Sequence, residues 1–434
     1  MSYRNLSRYM KSSTRSVLPS FLLALLLSTS HDSAAAQPYR FELLKKAALR
    51  SGITDPRPSC QSLDDELAEL GEGIFESKSL SLNGDISCRD CHQKEAMSSD
   101  GIPLAVGVGA SGVLAERVKP GVKTIIPRNT FPLFGRGDAA FTRFFWDGRV
   151  ERSGSITRSP FGQLGEDLEP SVVALHLPAV EIREMLVETE EVSSQFKRES
   201  PEVAQKLFGV IVESFARREA SIIRRLASHL EVAEESIEFQ HLAIAMREFI
   251  RRDFPVPFTK FHDFVFEGGR ISDSAFEGAE LFYGKARCSA CHNGPFFSDL
   301  NFYAVPSPQL GAGKNGFGMD YGRFNATHRP SDLYKFRTPP LLAVGETAPY
   351  MHSGSVGSLE AVISWHVDPL AQLDFADLTY EERHNFLRRV VQSDQIAMAS
   401  APLSEHEIQM LASFLRTLSP AKGAPFECEV PGDL

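Results

Sequence analysis

Apolar residues recur three and four positions apart in several blocks of the chain, the spacing that puts them on one face of a helix. Tyr39 to Arg50 and Leu63 to Phe75 are two such blocks, and Pro56 and Pro58 break the chain between them. The longest runs from Val172 to Ile250, where Leu, Ile, Val and Phe alternate with charged clusters such as Arg217-Arg218-Glu219 and Glu234-Glu235. Solvated helix faces are the plain reading of those charges, a docking surface the other. Ser272 to Tyr283, Leu359 to Trp365 and Glu405 to Leu418 predict three further helices, the last with Ser404 as N-cap. Ser98 to Gly121 and Asn293 to His328 are rich in Gly and carry no sustained periodicity, which predicts long loops. Phe254 to Phe266 is aromatic-rich and reads as a segment packed near a domain junction. The pattern predicts a mainly α protein with long loops and little β structure.

At 434 residues the chain is long enough for two or three domains, each with its own core. A formal net charge of -10 argues against a nucleic-acid partner. Near the start, Arg4, Arg8, Lys11 and Arg15 precede an apolar run from Val17 to Leu27, and Ala34-Ala35-Ala36 offers small residues for cleavage before Gln37. That order is a signal peptide over residues 1–36, so export to the periplasm is expected. The apolar run is short for a membrane span, although an uncleaved anchor is the other use of such a segment. Domain boundaries are expected at 37–255 and 256–434.

Six cysteines then change the picture. Cys88-Arg89-Asp90-Cys91-His92 and Cys288-Ser289-Ala290-Cys291-His292 are two copies of the c-type haem attachment signature. Each thiol adds to one vinyl group of a porphyrin, and the adjacent imidazole becomes the proximal ligand of the iron. A redox dithiol or half of a zinc site would use one such pair, but no third Cys-x-x-Cys pair exists to complete zinc sites. Two covalently bound c-type haems are therefore expected, and thioether haems are installed outside the inner membrane. Cys60 and Cys428 remain, and in an oxidising compartment they are either a disulfide or two unrelated thiols.

The two halves echo each other. Arg128-Asn129-Thr130-Phe131-Pro132-Leu133 resembles Arg337-Thr338-Pro339-Pro340-Leu341, and each follows its own haem motif. Phe145-Trp146-Asp147-Gly148-Arg149 and the segment Tyr350 to Ser355 occupy corresponding places further on. A weak repeat with one haem per unit argues for two related helical domains.

From about Gly71 to Leu418 the sequence resembles the bacterial dihaem cytochrome c peroxidase superfamily, which includes the MauG-type enzymes. The resemblance is carried by both haem motifs and by Phe145 to Arg149, Asp320 to Phe324, Phe336 to Pro339 and Thr347 to Ser355. Residues from Leu168 to about Glu238 are poorly covered and read as an insertion.

The resemblance implies two cytochrome-c-like helical haem domains, with peroxide reacting at the N-terminal haem and electrons passing through the C-terminal one. It implies that Trp146 is the relay between the haems; by itself Trp146 would read as a core aromatic. The family's acid–base glutamate lies twenty positions after that tryptophan, which is Glu166 here, and Pro160 also falls on a family proline. Classical members carry a displaceable distal His after the first motif. This chain has no His between His92 and His176, and Met97 lies too near His92, so an open five-coordinate iron is expected there.

For the second haem, the family's distal ligand lies fourteen positions after the His of the Tyr-Met-His segment, which gives His366; Met351 is the rival. A His/His haem would have a lower potential than a His/Met one. The resemblance also implies a calcium ion between the domains, held by the Asn129 side chain and the carbonyls of Thr347 and Pro349.

Three functions follow as expectations. The first is a periplasmic peroxidase reducing hydrogen peroxide with electrons from a small redox protein, a c-type cytochrome or a cupredoxin. The second is a MauG-like enzyme that passes oxidising equivalents to side chains of a partner protein. The third, a pure electron carrier, fits poorly with an open iron and a placed glutamate. Family analogy adds a homodimer.

Overall fold

The structure is a computed structural model that describes residues 33–57, 63–118, 124–187, 201–394 and 401–420. Helices dominate. The longer ones are α1 (Ser33–Arg50), α2 (Asp65–Glu76), α3 (Pro170–Val180), α4 (Pro201–Arg218), α5 (Ala220–His229), α6 (Phe239–Asp253), α7 (Asp273–Tyr283), α8 (Leu359–Val367), α9 (Tyr380–Val391) and α10 (Glu405–Arg416). Strands are few: an antiparallel meander of β1 (Arg143–Phe144), β2 (Val150–Ser153) and β3 (Ile156–Arg158), and an antiparallel pair of β4 (Phe302–Tyr303) and β5 (Phe336–Arg337).

Caps set the helix starts, Ser404 as the sequence suggests and two others besides. Ser404 accepts from the Glu407 amide while the Glu407 carboxylate accepts from the Ser404 amide, a closed capping box. Asp64 caps α2 through the Leu67 amide, and Ser272 caps α7 through Ala275. The expected block from Val172 to Ile250 is α3 through α6. The helix α9 and the β1–β3 meander were not among the expected elements. α9 carries mostly polar residues, so its pattern is weak, and the strands are only two to four residues long.

Each half is closed by the same crossing. α2 packs on α6 and α7 packs on α10, and in both cases a glycine sits where the backbones touch. A Cβ on Gly71 would lie 1.9 Å from the Ala245 carbonyl oxygen, and one on Gly278 would lie 1.9 Å from that of Met410. No side chain can move to relieve contacts with backbone. Gly278→Ala is expected to destabilise the fold by about 3 kcal/mol, the upper range for overpacking. The gain in helix propensity, at most about 1 kcal/mol, is too small to offset it. Thermal unfolding of the variant checks this, and an unchanged midpoint would mean the helices separate without cost.

One large apolar cluster runs through both halves, from Leu44 on α1 to Leu418 after α10. α1 itself lies against α7: Phe41 meets Phe276 at 4.8 Å between ring centroids, and Arg40 pairs with Glu280. The junction between the halves is also polar and buried. Arg128 holds Asp320 with two bonds of 2.8 Å and Asp147 with one of 2.6 Å. Arg149 and Lys314 add weaker contacts to Asp147 at 3.2 and 3.8 Å. Residues 1–32, Cys60 and Cys428 fall outside the described residues, and the expected cleavage point lies within α1. No helix among the described residues is long and apolar enough to cross a membrane.

Candidate haem sites

Both haem motifs form single short turns that bring the two thiols to the same side as the following histidine. In the first, Cys88–Cys91 is one helical turn closed by the bond from the His92 amide to the Cys88 carbonyl. In the second, Cys288–Ala290 makes the turn and the His292 amide bonds the Cys288 carbonyl. Among the described residues none of the four thiols forms a disulfide. Burial pushes the Cys88 and Cys288 thiols up to about 12 and Cys91 higher still. A dithiol reagent needs the opposite shift. Among the described residues no three His, Cys, Asp or Glu side chains gather as a metal site.

The two imidazoles are fixed alike. Nδ1 of His92 lies 2.8 Å from the Ser98 carbonyl oxygen, and Nδ1 of His292 lies 3.0 Å from that of Phe297. Each Nδ1–H donates to backbone, which leaves Nε2 as the lone-pair nitrogen, the tautomer a proximal ligand needs. Burial also holds both imidazoles down near 4, so they are neutral at ordinary pH. The repeat seen in sequence is structural here. Ser99 Oγ donates to the Thr130 carbonyl at 3.0 Å, and Ser298 Oγ donates to the Thr338 carbonyl at 2.7 Å. The echoing segments thus each dock on the loop after their own histidine.

The second site is a mostly apolar cavity walled by Cys288, Cys291 and His292 together with His366, Met351 and Trp146. His366 sits in the last turn of α8 with Nδ1 on the Val362 carbonyl at 2.7 Å. Its accessible face is open to this cavity, and its charge would oppose that of His292. Met351 borders the same space but packs with the small cluster of Val356, Trp365 and Phe386. Two thiols outside any disulfide, a fixed imidazole and a second imidazole in one apolar cavity suit a covalently held haem.

Trp146 donates its indole N–H to the Asn129 carbonyl at 2.9 Å, and its own carbonyl accepts from the Arg337 amide at 2.8 Å. It is therefore held by one segment from each half. Phe145 beside it packs edge-on against Phe131, which in turn packs against His92. The residues after Trp146, Asp147 to Arg149, form one wall of another cavity, and Pro160 and Glu166 belong to the same lining. Glu166 is positioned by backbone: its carbonyl accepts from Thr157 on β3 at 2.8 Å, and its amide bonds the Gln163 carbonyl. The meander that the sequence did not announce is what carries Glu166.

Asn129, Thr347 and Pro349 do come together. The Asn129 side-chain amide reaches the Pro349 carbonyl at 2.7 Å, and all three line the second cavity. The Asn129 Oδ1 is buried without a hydrogen-bond partner among the described residues. His176, the next histidine after His92, rests on Phe208 and Phe239 with Nδ1 on the Val172 carbonyl.

Sequence reasoning missed several polar groups. Glu184 has its carboxyl pushed up by burial and by Glu181, lies within electrostatic range of Arg149 and Lys314, and acts on Cys88 and Cys91. The buried arginines Arg117, Arg128, Arg136 and Arg337 were missed as well. Arg128 and Arg337 stand inside the echoing segments, which was the one available signal.

Residues 65–268 match the family model of di-haem cytochrome c peroxidase. The chain is 27% identical to the methylamine utilization protein MauG of Methylorubrum extorquens over 325 residues, 74% of each chain. It is 24% identical to cytochrome c551 peroxidase of Pseudomonas aeruginosa over 308 residues, 70% of this chain and 72% of that one. Among solved structures it is similar in fold to a MauG-like protein associated with microbial copper homeostasis, with a TM-score of 0.61 at 21% identity, covering 87% and 97% of the two chains. The diheme peroxidase BthA from Burkholderia thailandensis matches with a TM-score of 0.58 at 18% identity, covering 86% and 90%. The chain is thus similar to di-haem cytochrome c peroxidases and MauG proteins, which are oxidoreductases with two c-type haems.

Proposed function

We propose that the protein reduces hydrogen peroxide at the N-terminal haem, with electrons delivered through the C-terminal haem from a small redox protein. The contrast between the two sites carries this reading. The cavity of His292 has a second imidazole, His366, whereas the cavity beyond Trp146 offers the carboxylate of Glu166. Peroxide reduction consumes two electrons and two protons and yields two waters. Haem iron held by His92 would supply the redox centre at which peroxide is reduced. Glu166 takes the proton from the oxygen nearer the iron and returns it to the departing oxygen, which leaves as water. Ser98 keeps the His92 ring oriented through Nδ1. Trp146, tied to both halves, is the aromatic group through which an electron or a hole crosses.

His292 and His366 would both ligate the iron of the C-terminal haem, leaving it no position for substrate. His366→Ala is expected to turn that haem high-spin in the ferric absorbance and EPR spectra. A spectrum that stays low-spin would give the position to Met351 or another group.

Asn129, Thr347 and Pro349 are proposed to hold a calcium ion through one amide oxygen and two carbonyls. The orphaned Asn129 Oδ1 supports this, because turning the amide would point that oxygen where the N–H now bridges to Pro349. The N-terminal unit, to about residue 255, is peroxidatic and the C-terminal unit from 256 is electron-transferring. Export by the N-terminal signal places the protein in the periplasm.

Stopped-flow absorbance on the diferric protein, with one equivalent of peroxide, tests the reading. Immediate reaction followed by rapid turnover of a reduced small cytochrome is the expected result. No reaction before reduction of the second haem would overturn the open site. A long-lived oxidised protein that the cytochrome barely discharges would favour a protein substrate, as in a MauG-like enzyme.

A further inference from the structure

Two arginines face the second haem cavity with no acid against them among the described residues. Arg136 is 3% exposed and Arg337 is 1% exposed, and both line the space shared by Cys288, Cys291, His292 and His366. Arg136 gives Nε to the Pro132 carbonyl at 2.6 Å, and its guanidinium lies 4.1 Å from the Phe131 ring centroid and 4.8 Å from that of Phe141. Its Nη1 is buried and bonds nothing among the described residues. Arg337 gives Nε to the Phe145 carbonyl and Nη1 to the Thr338 carbonyl, each at 3.1 Å, and lies 5.2 Å from Phe141.

Every one of these contacts is to a neutral group. Arg128 shows the ordinary solution, with two carboxylates on one guanidinium. Arg136 and Arg337 instead raise the cost of each other: burial and then the Arg337 charge pull Arg136 well below the usual arginine range, and burial brings Arg337 down to about 9. Arginine does not escape by shedding its proton in proteins. A buried guanidinium needs an anion, and two of them in one cavity need two.

A haem fixed by Cys288 and Cys291 at its vinyl edge carries two propionates on its opposite edge. We propose that Arg136 and Arg337 form the cradle that binds the propionate carboxylates of the second haem. Two guanidiniums then meet two carboxylates, and the buried charge closes to zero. Because Arg136 lies on Phe131, which also packs against His92, the cradle stands between the two haem sites. The inference rests on the second cavity holding a haem.

The test compares Arg136→Gln and Arg337→Gln with Arg136→Lys and Arg337→Lys in the full holoprotein. Haem content comes first: two haems per chain in the unaltered protein, without which the premise, rather than the cradle, has failed. Spectroelectrochemistry then reads the second haem. A cation beside the propionates favours the reduced state, so each Gln variant is expected to shift reduction at least tenfold towards ferric, 59 mV for one electron. The Lys variants keep the charge and are expected to keep most of the potential. Gln variants that hold both haems at the unaltered potential overturn the cradle. Should the variants lose haem, resonance Raman on the unaltered protein decides. Propionate bands of the second haem that shift in D2O support donors on the carboxylates, and bands that do not shift overturn them.

Discussion

Glu166→Gln is expected to slow the reaction of the diferric protein with hydrogen peroxide by about 10² to 10⁴-fold, the range general acid–base catalysis supplies. The amide is nearly isosteric and stays neutral, so it fills the same wall of the cavity beside Pro160 and Arg149 but cannot carry a proton between the two oxygens. The backbone bonds that fix residue 166, to Thr157 and Gln163, do not involve the side chain. Haem content and the ferric spectra should therefore be unaltered. Stopped-flow mixing over a range of peroxide concentrations measures the second-order constant directly. A constant equal to that of the unaltered protein would remove Glu166 from the mechanism and turn attention to Glu184, a half-buried acid whose charge reaches Cys88 and Cys91.

Arg128→Gln is expected to cost about 3–5 kcal/mol of stability, as removing one partner of a buried ion pair does. The guanidinium bonds Asp320 twice and Asp147 once, and all three residues are buried. Without it, two carboxylates from different halves face each other with only Arg149 and Lys314 nearby. Burial alone would push both aspartates up, yet the charge of Arg128 overrides it and holds Asp320 at about 2 and Asp147 lower still. Folded values below the unfolded ones mean that this contribution is complete above the ordinary aspartate range. For Asp320 it fades as pH falls from there towards 2. The variant should show a lower denaturation midpoint at pH 7 and a smaller loss on acidification. Equal midpoints at pH 7 would mean that the apolar cluster alone joins the halves.

Much of this was legible in the chain because it is written locally. Cys-x-x-Cys-His needs one turn, and a turn is set by a few adjacent residues. The cap at Ser404 is local in the same way. His366 was found by counting from His352, and the structure puts it in the same cavity as His292. The cradle at Arg136 and Arg337 was not legible, because nothing near Arg136 in sequence says that the residue lacks an acid; only the folded cavity does. Short strands failed for a different reason. β1 and β2 hold two and four residues, too few for alternation to register, and their pairing is fixed by the turn between them. Helix α9, with Tyr380 and Val391 exposed and only Phe386 and Arg389 buried, offers an apolar face too narrow to stand out.

The two glycine crossings differ in how far along the chain their partners lie, and this sets an order of assembly. The first unit is complete once α6 has emerged, because α2, Cys88, Cys91 and the crossing helix all precede Asp253. The second cannot shut until α10 arrives, more than a hundred residues after Cys291, and it also draws on α1 from the opposite direction. A chain leaving a narrow export channel end first would thus present Cys288 and Cys291 in an open, reachable half while the first half had already folded. In a chain exported that way, attachment of the second cofactor would be given time by topology, and the late docking of a single helix would then seal it.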